Sequence, residues 1–142
     1  MGISRFAGIL YAVVSAGVVA FQIAMALGAP WGAYAMGGVF PGRFPMAMRI
    51  AALVQASIIL LWILVVLSRT GLAFPGLSRP SRKLVWLAVA FATIGLLLNL
   101  VTPSAGERII WAPVAFVLLI CSVLAATSPS GKPDNLPKTE NE

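Results

Sequence analysis

The residues able to do chemistry are few, and their types narrow the chemistry sharply. The chain has no histidine, one cysteine (Cys121), and four acidic residues, of which Glu107 alone precedes the C-terminal tail. Without imidazole there is no haem axial ligand, His-containing zinc site, Ser-His-Asp triad or imidazole proton relay. One carboxylate cannot form the pair that general acid/base catalysis uses, nor a divalent-cation cage. No phosphate-cradling glycine motif with its lysine is present. No enzyme activity and no cofactor is therefore expected. What remains is binding chemistry, carried by Gln22, Arg43, Arg49, Gln55, Asn99, Glu107 and Arg108, with Trp31 and Tyr34 beside them.

These groups sit in a setting that makes them costly. Of 142 residues 60% are hydrophobic and 10% charged, where a soluble domain carries about 25% charged residues. Polar side chains in such a chain lie in or beside hydrocarbon and are retained for a purpose. Reading between charges gives four neutral runs: Phe6 to Gly42, Ile50 to Ser68, Leu84 to Gly106 and Ile109 to Gly131. A bilayer core of about 30 Å takes about 20 apolar helical residues, so the last three are one span each. The first would make a helix of about 55 Å, too long for one crossing. It divides into a span and a loop, GAPWGAYAMGGVFPGRFP, whose glycine and proline density argues against continuous helix.

The expected fold is an all-α, integral membrane four-helix bundle over residues 1–127, with helices at about 6–27, 47–68, 84–102 and 108–126. The segment 128–142 is polar and proline-containing, and reads as a disordered tail. A cleaved signal peptide is the competing reading of the first span, but its apolar stretch of about 21 residues exceeds the roughly 7–15 of a signal core. Seven of the ten basic residues (Arg5, Arg69, Arg79, Arg82, Lys83, Lys132 and Lys138) fall on one side of this arrangement, and Arg43, Arg49 and Arg108 on the other. The positive-inside rule puts both termini in the cytoplasm and the Gly/Pro-rich loop outside. That rule accounts for the net charge of +6 without a nucleic-acid partner.

Two readings compete for most of the polar residues. Gln22, Arg49, Gln55, Asn99, Glu107 and Arg108 all lean toward the outer end, so they could line a shallow pocket roofed by the loop with Trp31 and Tyr34. Alternatively, Ser104 to Glu107 is a capping box, Arg49 and Arg108 snorkel to head groups, and the amides bond helix to helix. Gly8, Ala12, Ala16, Ala20, Ala24 and Gly28 recur at every fourth position of the first span. This row is expected to let another helix approach closely, either within the bundle or in a second subunit.

The run Gly28-Ala29-Pro30-Trp31-Gly32, then Gly37-Gly38, Pro41-Gly42, Pro45 and Arg49, with Asn99, Thr102-Pro103-Ser104, Glu107-Arg108 and Ala112-Pro113, resembles a group of small bacterial four-transmembrane-helix proteins of uncharacterised function. The resemblance implies a bacterial cytoplasmic membrane and lends no activity. Small multidrug transporters share only size and helix number, since their first-helix glutamate has no counterpart. Three functions remain: an outer-leaflet site for an amphipathic small molecule or lipid, an accessory subunit of a larger membrane complex, and a small homo-oligomeric transporter. Membrane lipids are the partners common to all three.

Overall fold

The computed structural model describes residues 2–129, and the tail from 130 onward lies outside them. Four long helices are present: α1 (Ile3–Ala26), α2 (Met46–Arg69), α3 (Ser78–Val101) and α4 (Ala105–Thr127). All four are long and apolar enough to cross a membrane, which makes the chain a multi-pass membrane protein. No strand occurs among the described residues.

Each helix packs on its neighbours in chain order, and α4 returns to α1. The α1–α2 and α3–α4 contacts are extensive, the α2–α3 seam is slighter, and α2 and α4 touch little across the diagonal. Large apolar side chains such as Phe6, Val13, Leu60, Leu87, Leu98 and Phe116 point outward. In water this would be an unstable surface; in lipid it is the expected one, because the tails are as apolar as the side chains. The interior is lined instead by small residues, including Ala52, Ala56, Ala88, Ala92, Ala112, Ala115 and Ala125.

The α3 boundary differs from the expectation. The helix begins at Ser78 rather than near 84 and carries Pro80, Arg82 and Lys83 within it. Counting neutral residues finds the part of a helix that hydrocarbon demands, whereas the backbone continues into the polar region. Proline is tolerated there because first-turn amides have no intrahelical acceptor. At the same end, the Arg69 guanidinium donates through Nη2 to the carbonyls of Ala126, at 3.2 Å, and Ser128, tying α2 to the C-terminus of α4. A cation at that position complements the helix dipole.

Only part of the row of small residues on α1 faces the bundle. Gly8 is buried, and a Cβ there would lie 2.5 Å from the Thr70 hydroxyl. Ala12, Ala24 and Gly28 are half-buried, whereas Ala16 and Ala20 are exposed. The interior face is Ala7, Tyr11, Ser15, Val19, Gln22 and Met25. Helical geometry explains the difference: each four-residue step overshoots a full turn by about 40°, so the row spirals around the helix.

Candidate functional site

Residues 27–45 join α1 to α2 through two short turns, Gly32–Tyr34 and Met36–Gly38. The Gly32 amide donates to the Gly42 carbonyl at 2.8 Å and closes the connection on itself. A Cβ at Gly32 would stand 1.8 Å from the Phe40 carbonyl oxygen, so only glycine fits.

This connection is fastened to the α3–α4 turn. Glu107 Oε2 accepts from the Gly37 amide at 2.8 Å and from the Thr102 hydroxyl at 2.6 Å. The Ser104 hydroxyl donates to the Ala33 carbonyl at 2.7 Å, and Trp111 Nε1 donates to the Tyr34 carbonyl at 2.9 Å. Gly106 leaves room for the Tyr34 ring, which a Cβ would meet at 2.7 Å. Half of the expected capping box is present, since Ser104 Oγ accepts from the Glu107 amide at 3.1 Å. The reciprocal half is absent: the Ser104 amide turns to Thr102 Oγ1, which frees the Glu107 carboxylate to hold the connection down.

Beneath this cover lies a cavity of about 690 Å³ bounded by all four helices. That volume is typical of a small-molecule site. Of the residues singled out in the sequence, Gln22, Tyr34, Gln55, Asn99 and Glu107 line it. Trp31, Arg43, Arg49 and Arg108 do not. Trp31 is stacked on Phe21 with ring centroids 6.1 Å apart, at an exposed position. Arg43 is exposed on the connection. Arg49 donates through Nε to the Phe44 carbonyl at 2.9 Å, and Arg108 through Nη2 to the Thr102 carbonyl at 2.6 Å. These two arginines brace the turns: Arg108 satisfies a carbonyl at the C-terminal end of α3, and Arg49 one in the connection just ahead of α2.

The cavity reaches deeper than the sequence suggested. Tyr11, Ser15 and Trp62 line it as well, and Tyr11 lies about 16 Å below Gln22 along α1. Met25 packs with Ala52, Val19 with Ala56 and Ile59, and Tyr11 with Val65 and Val66. By that antiparallel register Gln22 faces the level of Gln55, and Ser15 the level of Trp62. Two polar layers result, seven residues or about 10 Å apart. Ser15 Oγ and Trp62 Nε1 are both buried without a hydrogen-bond partner. The seven-residue spacing from Gln22 back to Ser15 and from Gln55 on to Trp62 was legible, because it returns to the same helix face.

In the upper layer the Asn99 amide donates to the Gly95 carbonyl at 2.7 Å, which directs its oxygen away from the backbone. Gln22 and Gln55 are engaged by no other side chain or carbonyl among the described residues. Phe21 and Trp111 meet at 4.6 Å above, and Trp62 and Phe91 at 6.1 Å below, giving the cavity aromatic walls at both ends. The arrangement can hold a molecule that is apolar along its length and forms hydrogen bonds at two heights. No family model, no curated protein and no solved structure matches the chain.

Proposed function

We propose that the chain is a non-enzymatic protein of a bacterial cytoplasmic membrane that binds an amphipathic small molecule or lipid between its helices. One observation carries the reading: a cavity of about 690 Å³ whose unengaged amides, Gln22 and Gln55, lie under a fastened cover. Buried polar groups normally find partners, and amides that find none inside the protein are suited to finding them in a ligand. The covered end faces the exoplasm and both termini face the cytoplasm, in keeping with Arg5, Arg69, Arg79, Arg82 and Lys83 at the opposite end. Single cysteines near 35 and 75 should then be labelled from opposite sides of the membrane.

The binding test uses the full chain in mild detergent with a total bacterial lipid extract as probe. The unaltered protein should be thermally stabilised and should retain a discrete lipid species by mass spectrometry. Gln22→Leu with Gln55→Leu should fold and lose both responses; unchanged stabilisation in that variant would remove the proposal.

A second reading, an accessory subunit of a larger membrane complex, is favoured by the outward position of Ala16 and Ala20. Small residues facing lipid allow another helix to approach closely. Ala16→Leu with Ala20→Leu should then release the chain from its partner, and retained co-purification would count against it.

A further inference from the structure

We infer that the cavity selects an uncharged amphiphile, one whose head carries hydroxyl or amide groups, and admits it sideways between α2 and α3. The inference rests on the binding reading above and adds the ligand's charge and its route.

The charge follows from what lines the walls. No lysine or arginine does so. The two nearest guanidinium groups are turned to backbone carbonyls, Arg49 to Phe44 and Arg108 to Thr102. An anionic head placed here would be desolvated without a counter-ion and would face Glu107, the one carboxylate of the site. A cationic head at the level of Gln22 and Gln55 would be desolvated, and its one possible counter-ion, Glu107, is held up in the cover, where Oε2 accepts from Gly37 and Thr102 at 2.8 and 2.6 Å. The Gln22, Gln55 and Asn99 amides combine donors with acceptors, which is the complement of a hydroxyl or an amide. Two turns deeper, Ser15 Oγ and Trp62 Nε1 offer donors to an acceptor atom further along the molecule.

The route follows from exposure. The lining residues that α1 and α4 contribute are buried or half-buried without exception. Those at the α2–α3 seam, Ile58, Ile94, Leu98 and Val101, line the cavity and are also exposed at the outer surface. All four are aliphatic, so the opening is compatible with hydrocarbon. It lies above the point where Trp62 meets Phe91, on the slighter of the interhelical seams. Tyr34, Met36 and Pro103 reach the surface at the covered end, which is where a head group would otherwise pass.

The test uses the full chain in detergent with Trp31→Phe and Trp86→Phe, so that the remaining tryptophans, Trp62 and Trp111, both line the cavity. Three probes share one bromine-bearing acyl or alkyl chain: a monoacylglycerol, a lysophosphatidic acid and an alkyltrimethylammonium. The monoacylglycerol should quench saturably, and each charged probe should bind at least tenfold more weakly. The same ranking should appear as thermal stabilisation of the unsubstituted chain. Equal saturable binding of all three, or tighter binding of a charged one, overturns the charge selection while cavity binding stands. Saturable binding of none removes the binding reading itself. Ile58→Phe with Leu98→Phe narrows the seam and should slow monoacylglycerol association at least fivefold with the quenching amplitude kept; an unchanged rate assigns access to the covered end and overturns the route.

Discussion

The half of the bundle at the start of α1 and the end of α4 and the half beneath the α1–α2 connection differ in what faces the axis. In the first, Ala7, Tyr11, Val65, Val66, Val85, Ala88, Cys121 and Ala125 meet in one continuous core. Ala88, Ala125 and Ser122 are fully buried there, and residues of that size let backbones approach. In the second, amides and aromatic rings stand at facing positions and enclose the cavity. Hydrocarbon supplies no drive to squeeze such a space shut, because apolar groups gain little by leaving lipid for protein. In the closed half Tyr11, Val65, Val66 and Val85 fill the space between the small residues, whereas in the other half Ala52, Ala92 and Ala115 leave space that amides and rings border.

The contrast is most easily broken by equal changes made in each half. Ala88→Leu or Ala125→Leu overfills the closed half and should cost about 1–3 kcal/mol, seen as a fall in Tm in detergent. A smaller loss, about 1 kcal/mol, is expected for Glu107→Ala, which releases the Gly37 amide and the Thr102 hydroxyl. Hydrogen exchange should then quicken at 33–38 and stay slow around Val65 and Val66. Ala92→Leu or Ala115→Leu projects into the cavity and should shift stability by less than about 1 kcal/mol in either direction while abolishing probe binding. Least affected should be Ala16→Leu with Ala20→Leu, within about 0.5 kcal/mol, since both positions face outward. If the outward pair costs more than the closed-half pair, the assignment of interior and exterior faces on α1 is wrong.

The four helices were legible because a bilayer imposes a length and a composition that any reading of charges recovers. Gln22, Gln55, Asn99 and Glu107, which line the cavity, were conspicuous because polar side chains in an apolar chain stand out. The arginines misled for the opposite reason: Arg49 and Arg108 are equally conspicuous, but the carbonyl groups that engage them belong to turns whose shape only the fold determines. Ser15 and Trp62 were overlooked because a serine and a tryptophan pass for ordinary constituents of a membrane helix. Their burial without partners becomes visible only when α1 and α2 are set in register.

The fastening between Gly37 and Glu107 joins positions 70 residues apart. A ribosome adding residues in order finishes the first connection, then α2 and α3, before that carboxylate exists to accept from the amide. During synthesis the hairpin of α1 and α2 must therefore wait with its cover loose, and the arrival of α4 sets the latch. A nascent chain halted before position 107 should be cut readily by protease within 33–38, whereas one released after Thr127 should be cut slowly there, because the fastened backbone at Gly37 cannot be drawn out into an extended strand.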